Sequence, residues 1–138
     1  MAELPLTGGC MCGGVRFEVD AVPVSAGWCH CTRCQRRTGT AASVQATLAL
    51  GSLRIRQGEA LLREYEPADG SAKVFCGDCG SSLWSRSPED PPRINVRFGA
   101  FDVSPRVVPS YRQFVADAAP WEQVPDDGLP RFPERRAG

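Results

Sequence analysis

The feature that most constrains this chain is the placement of its seven cysteines. They fall into "GGCMCGG" (Cys10, Cys12), "WCHCTRCQRRTG" (Cys29, Cys31, Cys34) and "FCGDCG" (Cys76, Cys79). Thiols spaced this tightly oxidise, cross-link or bind metal. A C-x-C pair rarely closes a disulfide on itself, because side-chain direction and ring strain oppose it. Both C-x-C and C-x-x-C, however, present two thiolates to one ion. Zinc takes four ligands in a tetrahedron, and sulfur suits it. In "FCGDCG" the glycines let the backbone turn so that both sulfurs face an ion, the signature of a zinc knuckle. Cys10 and Cys12, also flanked by glycine, supply the two ligands that the knuckle lacks. Cys10, Cys12, Cys76 and Cys79 then form a closed structural zinc site. Such a tie between segments more than sixty residues apart contributes several kcal/mol to folding.

Cys29, Cys31 and Cys34 remain. Three protein ligands and one open position is the pattern of a catalytic zinc. This second ion is expected to be the more labile, its fourth position open to water or a thiol. Two alternatives stay open: His30 is the fourth ligand, or the trio is half of a differently shared cluster. His30 sits between two ligands and reaches the same ion only through an awkward bend, so it is expected beside the site or in the packing. Three thiolates on Zn2+ leave a net charge of about −1, which weakens the ion as a Lewis acid. Holding a thiolate is then more natural than activating water. Arg33, Arg36 and Arg37 are candidates to pair with substrate carboxylates, against the alternative of a solvated helix face. Trp28, Trp84 and Trp121 are expected as core or tail anchors.

Lys+Arg and Asp+Glu both number 16, and this balance argues against a nucleic-acid partner. The N-terminal "MAELPLTGG" shows no secretory pattern, and no apolar run approaches the roughly 18 residues of a membrane span. The expected compartment is the cytoplasm, where thiols stay reduced and bind metal rather than pair. "VRFEVD" (Val15–Asp20) and "LRIRQG" (Leu53–Gly58) alternate with the period of half-buried strands. "LLREYE", "SSLWSR", "INVRFGAF" and "ASVQATLAL" (Ala42–Leu50) also read as strands. "TRCQRRTG" predicts a short helix ended by Gly39, and a second helical turn is expected near Ser104–Val108. The fold class is mainly β: a small single domain of short antiparallel strands with one or two helical turns. After Trp121 the chain turns rich in proline and charge and cannot bury a core of its own. Residues 124–138 are expected as an extended tail on a domain of residues 1–123, docked through Leu129 and Phe132, its last residues loose.

The motifs "GGCMCGGVRFEV", "WCHCTRCQRRTG" and "FCGDCGSSLWSR", with "APW" (Ala119–Trp121) and "DGLPRFPE" (Asp127–Glu134), resemble the glutathione-dependent formaldehyde-activating enzyme (GFA) family, whose domain also occurs in centromere protein V. The resemblance covers nearly the whole chain. It implies a β-rich zinc fold, with structural zinc on Cys10, Cys12, Cys76 and Cys79 and the proposed catalytic zinc on Cys29, Cys31 and Cys34. It also implies a carbon–sulfur lyase that joins glutathione and formaldehyde into S-hydroxymethylglutathione. The partners would then be a small thiol and a small aldehyde. The alternative function is a non-catalytic zinc-stabilised module that binds glutathione, a protein or another partner.

Overall fold

The structure is a computed structural model that describes residues 3–136. It contains ten strands: β1 (Leu6–Gly9), β2 (Arg16–Val19), β3 (Ser25–Cys29), β4 (Ser43–Thr47), β5 (Leu53–Gln57), β6 (Leu62–Tyr65), β7 (Ala72–Cys76), β8 (Ser82–Arg86), β9 (Ile94–Arg97) and β10 (Arg112–Gln113). The helix α1 spans Thr32–Thr38. The fold is therefore mainly β, as the patterning implies. A three-stranded sheet runs in the order β1-β2-β5, and a seven-stranded sheet in the order β10-β3-β4-β9-β8-β7-β6. All pairings are antiparallel except β10 with β3.

Alternation sets which face of each strand is buried. In β2 and the residue before it, Val15, Phe17 and Val19 are at most 1 % exposed, while Arg16 and Glu18 turn outward. These apolar residues meet Ala46, Val74, Leu83, Trp84 and Val96 of the larger sheet, so the core lies between the two sheets. Phe17 meets Trp84 edge-on at 5.6 Å and Phe101 at 6.0 Å, the geometry that the ring quadrupole favours. Three ties join the sheets at one side: the Gly8–Phe101 bridge, and hydrogen bonds from Thr7 and Arg16 to Asp102.

Gly39 ends α1 with φ 71°, a left-handed conformation that glycine adopts without strain, and its N–H caps the Gln35 carbonyl. The helical turn expected at Ser104–Val108 is absent. Short 3-10 turns lie instead at Glu59–Leu61, Phe98–Ala100 and Val115–Asp117. The β-branched pair Val107–Val108, followed by Pro109, disfavours a helical turn in that segment. Trp84 is a core residue and Trp28 is half-buried under Arg112, but Trp121 is 72 % exposed and anchors nothing.

The segment after Trp121 lies along β10. Arg112 donates its N–H to Pro130 O and accepts from Phe132 N, and Val115 N donates to Phe132 O. Leu129 and Phe132 are both half-buried. Arg136 stacks on Tyr111 at 4.1 Å. The expected loose end falls partly on residues 137–138, outside the described residues. No described helix is long and apolar enough to cross a membrane.

Candidate metal centres and the neighbouring trough

The first cluster forms where two turns meet. After β1, the Cys10 carbonyl accepts from Gly13 N, and the Cys10 thiol accepts from Val15 N at 3.2 Å. After β7, Cys76 O accepts from Gly80 N and Cys76 N donates to Ser81 O. Ser81 fastens the two turns, since its hydroxyl accepts from Met11 N at 2.9 Å. The sulfurs of Cys10, Cys12, Cys76 and Cys79 all lie within 4.8 Å of one another. Cys10–Cys12 is 3.5 Å and Cys12–Cys76 is 3.9 Å. A tetrahedral zinc with bonds of about 2.3 Å needs sulfurs about 3.8 Å apart, so the donor set fits such an ion. Hydrogen bonds from Ser81, side chain first and then backbone, bring the Cys79 thiol down to about 5.

The second cluster is local. Cys29 closes β3, and Cys31 is the N-cap of α1. The Cys31 sulfur accepts from the N–H of Cys34 in the first turn, at 3.2 Å. Their three sulfurs again lie within 4.8 Å. Hydrogen bonding among them drives the thiols apart in acidity: Cys34 falls well below its usual range, held by Cys29 and Cys31, while Cys29 is pushed up. Ser43, opposite Cys29 in the β3–β4 ladder, and the Arg97 charge also favour the Cys34 thiolate.

His30 does not belong to this group. Its ring is fully buried on the other side of the strand, with Nε2 3.2 Å from Arg112 Nη1 and Nδ1 3.5 Å from Glu122 Oε1. A guanidinium only donates, so Nε2 accepts and the neutral ring carries its proton on Nδ1, towards Glu122. Burial lowers the His30 pKa. Arg112 in turn pairs with Asp127 at 2.7 Å. His30 thus couples the trio's loop to β10 and the tail.

A trough of about 660 Å³ opens beside the four-cysteine cluster, with Cys10 in its wall; the trio's cysteines are not in the lining and meet it only through their neighbours Ser43 and Arg97. Its walls include Cys10 and Arg16 from one side, and Arg37, Ser43, Ser82 and Arg97 from the other. Of the three arginines expected at the site, only Arg37 lines it. Arg33 is engaged with Asp69 in an exposed pair at 2.7 Å, and Arg36 is exposed. Arg97 and Ser43 had no sequence signal. They sit in strands whose pattern marks β structure without telling which face meets the cysteines.

Residues 5–117 match the family described as glutathione-dependent formaldehyde-activating enzyme. The chain belongs to this family. Its fold is similar to the crystal structure of a Rhodobacter sphaeroides protein, a structural-genomics target, with a TM-score of 0.61 and 24 % identity over 92 % of this chain and 99 % of that one. At that identity the likeness shows the fold. No curated protein matches the chain. The family name points to glutathione and formaldehyde, and both cysteine clusters can hold metal ions.

Proposed function

We propose that this member of the GFA family forms and cleaves the carbon–sulfur bond between a small thiol, glutathione in the first instance, and a small aldehyde. The observation that carries the reading is the trio itself, whose Cys34 is faced by two residues of the trough wall. Three sulfurs converge on one point, and Ser43 and Arg97 both face Cys34 and line the cavity. A cavity of this size takes a tripeptide-sized ligand. Zinc suits both donor sets. Cys10, Cys12, Cys76 and Cys79 would hold a structural ion, and Cys29, Cys31 and Cys34 a second, more labile one.

An ion on the trio would supply positive charge that favours the deprotonated form of a thiol placed beside it. The chain's own part is to orient the reactants and to keep one face of the reacting sulfur clear of water. In the forward direction the thiol gives up its proton and its sulfur lone pair forms the bond to the aldehyde carbon. The carbonyl π pair moves to oxygen, which takes a proton. Cleavage reverses each step. No outside oxidant or reductant is needed.

The test is Cys31→Ser, compared with the parent for folding, metal content and adduct formation and cleavage above the uncatalysed rate. The expected result is a folded protein with about one zinc per chain and background rates only. An unfolded product would make the trio structural and remove the main support for an enzyme. Full activity in the folded variant would place the chemistry elsewhere.

A further inference from the structure

One wall of the trough, formed by Arg37, Ser43, Ser82 and Arg97, carries positive charge with no carboxylate among the described residues paired to it. Arg97 ends β9, is 8 % exposed, and donates through Nη1 to the neutral Gln45 side chain across the ladder at 2.8 Å. Arg37, one turn beyond Cys34 on α1, donates through Nη2 to the Val74 carbonyl at 3.2 Å. Arg37 Nη1, Arg97 Nε and the Ser82 hydroxyl are buried without a hydrogen-bond partner among the described residues, while the Ser43 hydroxyl faces the Cys34 sulfur. All four residues line this one cavity. Asp102, the acidic residue of the lining, is committed to Arg16 and Thr7.

Buried guanidiniums are costly unless an anion faces them. Elsewhere in this protein arginines find carboxylates: Arg16, Arg54, Arg56, Arg86 and Arg112 all do. The trio is one anion close by, and it contributes to the electrostatics of both arginines. With an ion bound, three thiolates leave only about one negative charge. Two guanidiniums exceed it. Lys73, half-buried on β7 next to Val74, adds a third cation that feels Arg97, Arg37 and Cys34. Burial, followed by Arg97, lowers Arg37 to about 10.

We propose that Arg37 and Arg97, with Ser43 and Ser82, form a carboxylate-binding wall, so that the trough selects thiols carrying a carboxylate over neutral thiols. Arginine suits the task, since its planar fork matches a carboxylate. The wall would fix the acid end of the ligand while the sulfur reaches the trio. The proposal rests on the reading of the trio as the thiol site, and the experiment separates the two.

Binding of glutathione and of glutathione diethyl ester is measured by calorimetry on the full-length, metal-loaded protein, with metal content assayed for each sample. The variants are Arg37→Gln, Arg97→Gln and Arg97→Lys. The expected result is at least a tenfold preference for the acid in the parent. Arg37→Gln should bring that preference close to unity with the ester's affinity unchanged, and Arg97→Lys should leave part of it. Equal binding of acid and ester by the parent overturns the proposal, as does the absence of glutathione binding. So does an equal weakening of both probes in Arg37→Gln with loss of metal, which would reduce the arginines to counter-charges for the thiolates. Should Arg97→Gln fail to fold, Arg37→Gln decides, because that side chain is the less buried. A tenfold acid preference without adduct chemistry would sink the enzyme reading and leave this one. Adduct formation at equal rates on acid and ester would do the reverse.

Discussion

Replacing Arg112 by methionine should loosen the connection between the tail and the loop that carries the trio. Methionine keeps much of the apolar volume, so the loss is mainly that of the guanidinium, including its stacking over Trp28 at 5.0 Å, worth about 0.5–2 kcal/mol. Two polar contacts also disappear. The first is the ion pair with Asp127, whose side chain is 31 % exposed against 6 % for Arg112. Losing one partner of a fully buried pair costs about 3–5 kcal/mol, and an exposed pair is worth about 0–1 kcal/mol. Asp127 is exposed enough that solvent screening leaves this pair close to the exposed limit. The second contact is that with His30 Nε2, a fully buried acceptor that would be left without its donor. An orphaned buried acceptor costs about 1–3 kcal/mol. Arg112→Met should therefore lower stability by about 3 kcal/mol, read as a drop in urea midpoint at unchanged slope. In a double-mutant cycle with Asp127→Asn the two changes should be measurably non-additive. A loss below about 0.5 kcal/mol, or full additivity, would refute the argument that this buried arginine joins tail and loop.

Cys76→Ser should lower the thermal midpoint strongly and remove one zinc per chain, since an ion on the four-cysteine cluster contributes folding free energy directly; a parent-like melt with unchanged zinc would disprove the grouping. Asp127 is held below the usual carboxylate range by its hydrogen bonds from Arg112. Its contribution is thus present above the unfolded value of about 3.9 and is lost as pH falls through the lower folded value. The stability gap between parent and Asp127→Asn should accordingly close below about pH 4 in urea titrations; a gap that widens there would reverse the sign. Gly27→Ala should destabilise by about 1–3 kcal/mol, because a Cβ there would lie 2.2 Å from the Tyr111 ring, and a melt unchanged from the parent would show that Tyr111 gives way freely.

The cysteine grouping was legible because metal chemistry demands fixed numbers of ligands at short spacings. Strands β2 and β5 were legible because one face meets the core and the other water. β3 gave less away, since Ala26, Gly27 and Cys29 are all buried and no alternation survives. Nor does any local pattern mark β10, whose two residues pair in parallel with a strand more than eighty positions earlier. The helical turn expected near Ser104–Val108 did not form where Val107, Val108 and Pro109 disfavour helix. Arg37, which lines the trough, could be named because it neighbours Cys34 in sequence. Arg97 could not, because its proximity arises only when β9 pairs with β4.

The trough has one further property, which follows from where its walls originate. Cys10 and Arg16 stand on the side of the three-stranded sheet, while Val44, Ser82 and Arg97 belong to the seven-stranded one. The four-cysteine cluster spans the same division, with Cys10 and Cys12 following β1 and Cys76 and Cys79 following β7. An ion held by those four sulfurs would clasp the two walls and hold the spacing between them. A ligand that touches both walls would then meet an aperture already set by the cluster.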